Sequence, residues 1–149
     1  MTRALIAEDE PLLADALQQE LARAWPGLQI AARVGDGLSA VREALALAPE
    51  VLFFDIRMPG QSGLEAAAEL ADAWPEGTPF PALVFLTAYD QYAVQAFEAQ
   101  AVDYLLKPLQ RGRLEKTVAR VQALLAARGN GAQPVDEATL AQLRQLLAS

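Results

Sequence analysis

Four places in this 149-residue chain combine residue types and neighbours suited to chemistry. The apolar run VLFFD (51–55) delivers Asp55 straight into a Pro/Gly turn, IRMPGQSG. Near the N-terminus, RALIAE (3–8) ends in Glu8 and is followed by Asp9 and Glu10. PALVFLT (81–87) ends in Thr87, and VDYLL (102–106) is followed by Lys107 and Pro108. Carboxylates gathered at one rim repel, and protonation, an ammonium or a cation must relieve them. The chain has no His and no Cys, so every side-chain ligand available there is a hard oxygen. Such a set favours magnesium or manganese over zinc. Magnesium keeps several waters and takes one or two carboxylates plus a phosphate oxygen, so the rim can hold it and still receive a phosphoryl group. An aspartate can be the nucleophile for that group, giving an acyl phosphate. Asp55 is the best placed, with Lys107 to neutralise oxygens and Thr87 to donate a hydrogen bond.

These residues need elements that bring them together. The apolar runs 3–8, 28–34, 51–55, 81–87 and 102–106 are mostly continuous, as parallel strands covered on both faces are. Helix-period segments lie between them. Their stripes are Leu13, Leu17, Leu21; then Leu38, Val41, Leu45, Ala48; then Ala67, Leu70, Ala71, Trp74; and Leu114, Val118, Val121, Leu125. Pro11 opens the first helix, Ser62 and Glu65 have capping-box spacing, and Asp90 can cap a short helix over roughly 91–99. Pro49 and Gly129 follow helix ends. Five β–α units predict an α/β fold: a flavodoxin-like (βα)5 doubly wound parallel sheet of strand order 2-1-3-4-5. In that order the first and third strands are neighbours, and ligands bind beyond the carboxyl ends of the strands. Glu8, Asp9, Asp55, Thr87 and Lys107 all fall there, and the amino ends carry no comparable cluster.

Composition sets the bounds. A hydrophobic fraction of 53% supports a core, and no apolar run approaches a membrane span. No secretory signal is visible, so a cytoplasmic domain is expected. Absent cysteines exclude disulfides and thiolate sites, and absent histidines exclude His-ligated zinc and His-based triads. A net charge of −7 argues against nucleic-acid binding by this segment. Residues 1–128 read as one domain, GNGAQP opens a linker over 129–135, and 136–149 reads as an amphipathic helix with Leu140, Leu143 and Leu147 on one face.

Taken singly, a strand-end Asp is a turn residue, "EDE" a solvated turn and "KP" a loop. Together they resemble a response-regulator receiver domain over about residues 1–128. Glu8-Asp9 matches its acidic pair. Asp55, Met58, Pro59 and Gly63 match its phosphoacceptor pattern, Thr87-Ala88 its fourth-strand motif, and Tyr104, Lys107 and Pro108 its last-strand motif. The resemblance implies that Asp55 accepts a phosphoryl group from a cognate histidine kinase or phosphotransfer protein. It implies Mg²⁺ held by Asp9, Asp55 and the backbone carbonyl of Arg57, with Glu8 assisting. It further implies a cis Lys107–Pro108 bond, contact of Lys107 with the phosphoryl group, movement of Thr87 toward it and inward rotation of Tyr104. That shift of populations repacks the face of the fourth helix, fifth strand and fifth helix. The domain is regulatory, not an enzyme beyond its own phosphoryl transfer and dephosphorylation.

The stretch 87–108 is similar to receivers that precede a LytTR-type DNA-binding domain, through Tyr89, Asp90, Tyr92, Ala93, Ala96, Phe97, Ala101, Asp103 and Tyr104. No such output is present, so 136–149 is expected to begin a connection to a missing output domain. A homodimer through the fourth helix, fifth strand and fifth helix is expected, with Gln95, Glu98 and Asp103 facing Arg111, Arg113, Lys116 and Arg120. A stand-alone receiver and a phosphorylation-independent pseudo-receiver are the alternatives. A haloacid-dehalogenase reading wants an acid where Arg57 stands, and an FMN site wants a glycine- and hydroxyl-rich loop where EDEP stands.

Overall fold

A computed structural model describes residues 1–88 and 101–129. Five parallel strands form one sheet: β1 (Arg3–Ala7), β2 (Gln29–Val34), β3 (Val51–Asp55), β4 (Ala82–Thr87) and β5 (Asp103–Leu106). Their order is β2-β1-β3-β4-β5, as expected. The helices are α1 (Pro11–Ala24), α2 (Gly37–Leu47), α3 (Gly63–Ala73) and α4 (Arg111–Gly129). The helix expected over 91–99, the linker after Gly129 and the helix expected over 136–149 lie outside the described residues.

Alternation along the central strands splits the core into two layers. Leu5, Ala7, Leu52, Phe54, Leu83 and Phe85 face α2 and α3. Ala4, Ile6, Val51, Phe53, Val84 and Leu86 face α1 and α4, meeting Leu17, Leu21, Leu114, Val118 and Val121. β1, β3 and β4 are therefore buried on both faces, whereas Ile30, Ala32 and Val34 on the edge strand β2 are half-buried.

The α2 stripe differs from expectation. Leu38 is 63% and Leu45 40% exposed, and the buried face is Gly37, Ala40, Val41 and Ala44. Small residues carry that face because α2 lies close against the loop before α3. A Cβ on Gly37 would stand 2.3 Å from the Gln61 carbonyl oxygen. The α3 stripe is as expected, with Ala67, Leu70, Ala71 and Trp74 buried. The capping box before α3 is closed: Glu65 N–H donates to Ser62 Oγ at 3.1 Å, and Ser62 N–H to Glu65 Oε1 at 2.9 Å. At α2, Asp36 Oδ1 accepts from Ser39 N–H at 2.7 Å.

Candidate functional site

The neighbouring tips of β1 and β3 bring acids together. Glu8, Asp9 and Asp55 each place a carboxylate oxygen within 4.8 Å of the others. The β1 tip is fixed by Glu8 N–H donating to the Val34 carbonyl, and the β3 tip by Ile56 N–H donating to the Leu86 carbonyl, both at 2.9 Å. The turn after Asp55 folds back tightly. Gly63 N–H donates to the Ile56 carbonyl at 2.8 Å, and a Cβ on Gly63 would stand 2.2 Å from the Asp55 carbonyl oxygen. Only glycine lets the start of α3 lie against the strand tip.

Lys107 bridges two of the acids. Its Nζ donates to Asp55 Oδ2 at 2.9 Å and lies 2.5 Å from Glu8 Oε1. The Lys107–Pro108 peptide is cis, as the resemblance implies, and Lys107 N–H donates to the Thr87 carbonyl at 2.8 Å. Burial favours neutral Lys107, but bonds to Glu8 and Asp55 outweigh it and hold the ammonium above its ordinary pKa. Asp55 Oδ1 accepts from Arg57 N–H at 3.2 Å, and Glu8 Oε2 from Glu10 N–H at 3.1 Å. Asp9 is exposed, yet partial burial and the adjoining Glu8 raise its carboxyl above the usual range.

One ammonium among three carboxylates leaves negative charge unmatched. The donors are all hard oxygens, and Asp9 and Asp55 open with Arg57, Ala88 and Lys107 onto a cleft of about 520 Å³. That donor set fits Mg²⁺ rather than a soft metal. Thr87 ends β4 at the same rim and is 1% exposed. Tyr104 lies one strand further out, half-buried against the α2–α3 core layer. Glu8, Asp9, Asp55, Arg57, Thr87 and Lys107 thus fall on or beside the carboxyl edge of the sheet, while Tyr104, the second residue of β5 and opposite Phe85, lies back from it.

One expectation is overturned. Asp103, read as part of an exposed dimer face, is 2% exposed and bound within its own chain. Its carboxylate accepts both terminal nitrogens of Arg113 at 2.5 and 2.7 Å, Thr117 Oγ1 at 2.7 Å and Tyr104 N–H at 2.9 Å, with Arg120 Nη1 at 3.1 Å. Arg111 is paired with Glu20 at 3.1 Å. A sequence signal for this cluster exists. Asp103 stands alone in an apolar run, and residues 113, 117 and 120 share one helix face.

Comparison with known proteins assigns the family. Residues 4–119 match the response regulator receiver domain, and the chain belongs to that family. An uncharacterized response regulatory protein of Vibrio cholerae is 44% identical over 144 residues, which are 96% of this chain and 53% of that protein. The transcriptional regulatory protein BtsR of Escherichia coli is 43% identical over 122 residues, 82% of this chain and 48% of BtsR. The chain thus spans about half the length of the curated relatives it matches. Among solved structures, the response regulator TrrA of Thermotoga maritima, crystallised in complex with Mg²⁺–BeF, superposes with a TM-score of 0.68 at 28% identity, over 81% of this chain and 99% of TrrA. Receiver domains are regulatory phosphoacceptor domains of two-component systems rather than classical enzymes, and the acidic pocket here is typical of their Mg²⁺ site. Among the described residues no helix is long and apolar enough to cross a membrane.

Proposed function

We propose that this chain is a phosphorylation-dependent switch whose phosphoacceptor is Asp55. The observation that carries the reading is Asp55 itself. A buried carboxylate sits at a strand tip, bonded to an ammonium on one oxygen and a backbone N–H on the other, beside two further acids. A carboxylate oxygen of Asp55 attacks the phosphorus of a phosphohistidine on a cognate histidine kinase. The P–N bond breaks, and its electron pair stays on the kinase imidazole. Asp9, Asp55 and the carbonyl of Arg57 would hold Mg²⁺, with Glu8 assisting, and the ion would neutralise charge on the phosphoryl oxygens. Lys107 contacts the phosphoryl group, the Thr87 hydroxyl donates to it, and Tyr104 turns inward behind Thr87. These movements bias β5 and α4, together with the helix that the sequence predicts over 91–99, toward homodimerisation.

The domain plan of the whole protein is part of this proposal. Residues 1–128 are the receiver, 129–135 a linker and 136–149 the start of a connection to a LytTR-type DNA-binding output in the cytoplasm. The length of the relatives and the name of BtsR support an output beyond the receiver. The dimer face is narrower than opposite charges suggest, because Asp103, Arg113, Arg120 and Arg111 have partners in their own chain.

Calorimetric titration with Mg²⁺ tests the acidic rim. Wild type should bind one ion, and Asp9→Asn and Asp55→Asn should each weaken it at least about tenfold, a change of about 1.4 kcal/mol. Equal affinity in all three proteins would contradict the site.

A further inference from the structure

Among the described residues, five polar or charged residues are buried: Glu8, Asp55, Thr87, Asp103 and Thr117. Three belong to the rim already described. The other two lie with Arg113 at the outer side of β5, the last strand of the sheet. An edge strand has backbone groups that no neighbouring strand takes. At Tyr104 side chains take both. Its N–H donates to Asp103 Oδ1 at 2.9 Å, and its carbonyl accepts from Arg113 Nη2 at 3.2 Å. The same Arg113 nitrogen bonds Asp103 Oδ1, so one carboxylate and one guanidinium close a ring around the Tyr104 peptide groups.

We infer that Asp103 and Arg113 are positioning residues for Tyr104. They act as a side-chain substitute for a sixth strand, and they fix the Tyr104 backbone so that its side chain responds to the rim by rotation alone. Three observations fit a positioning role better than simple stabilisation. A buried carboxylate paired with a part-exposed guanidinium is a weak source of stability, since desolvating Asp103 offsets much of the attraction. Both ends of the ring fall on the residue between β4's neighbour Leu105 and Asp103, not on a loop. Arg113 also lies in the first turn of α4, two residues past Arg111, so the ring ties that helix start to the strand leading to Lys107. A charge-assisted, planar fork holds direction as well as distance, which a hydrophobic contact would not.

This inference rests on the proposed switch, and the test separates the two. The full chain is labelled with 3-fluorotyrosine and followed by fluorine NMR before and after Mg²⁺ and beryllofluoride, a phosphoryl mimic. Tyr104→Phe identifies the Tyr104 signal. In wild type that signal should shift on adding the mimic, and a signal that stays still would refute the switch itself. Arg113→Gln should at least halve the shift or broaden the signal while beryllofluoride still binds. Thr117→Val removes bonds to Asp103 and Arg113 but keeps the three bonds that close the ring at Tyr104, so it should lower the melting temperature and leave the shift unchanged. If Arg113→Gln keeps the full shift, or if Thr117→Val reduces it equally, the pair is merely structural and the positioning role is wrong.

Discussion

Lys107 decides the electrostatics of the rim, because it is bonded to two carboxylates and 17% exposed. Replacing it with Met leaves Glu8, Asp9 and Asp55 facing one another with that ammonium gone. We expect Lys107→Met to cost about 3 kcal/mol in denaturant melts without metal, the low end for breaking a buried pair. Added Mg²⁺ should recover more stability in the variant than in wild type, and equal gains would show that the ammonium does not offset the carboxylates. Asp103 gives a pH signature. Burial alone would raise its carboxyl, but the bonds from Arg113 and Thr117 outweigh that and hold it below the usual carboxylate range. A depressed carboxyl pKa contributes stability above the unfolded value, and that stability is lost as pH falls through the folded one. Wild type should therefore lose stability below about pH 4 more steeply than Asp103→Asn, which lacks the titrating group. Parallel pH curves would remove Asp103 from the acid response. In the sequence, Asp55 and its partners were legible because each ends an apolar run. Asp103 was not read as buried, because opposite charges in a list do not say whether they meet within one chain or between two.

Secondary-structure elements present these groups through close backbone contacts. The Asp55 carbonyl and the start of α3 lie so near that a Cβ at position 63 has no room. Gly63→Ala should cost about 2 kcal/mol or more through overpacking and should weaken Mg²⁺ binding, since the strand tip must move. Ser62→Ala, one residue earlier, removes only the α3 cap and should cost about 1 kcal/mol with Mg²⁺ affinity unchanged. Thermal melts and calorimetry on both variants make the comparison, and similar effects on metal would deny Gly63 its special place. Helix stripes built from Leu and Val were readable over 11–24 and 111–129. The α2 face was misread because a period taken from large residues overlooks Gly37, Ala40 and Ala44, which pack by being small.

At the scale of the whole molecule, strand order places the chemistry. The chain runs outward from β1 to β2, returns to β3, and continues to β4 and β5, so the tips of β1 and β3 adjoin. Continuous apolar strands and alternating elements made that order readable, because few right-handed arrangements bury both faces of three central strands. Pairings across the molecule were harder to see. Arg128 of α4 reaches the Phe80 carbonyl at 2.9 Å, a contact of 48 residues' separation that no local pattern announces. The shared purpose of this arrangement is a single acidic rim around Asp55. Intact-mass spectrometry after incubation with acetyl phosphate tests it most directly, on wild type and Asp55→Asn, with and without Mg²⁺. One phosphoryl adduct in wild type, dependent on Mg²⁺ and absent from the variant, is the predicted result. An adduct on Asp55→Asn equal to that on wild type, or none on wild type that binds Mg²⁺ and receives phosphohistidine as donor, would contradict Asp55 as the phosphoacceptor.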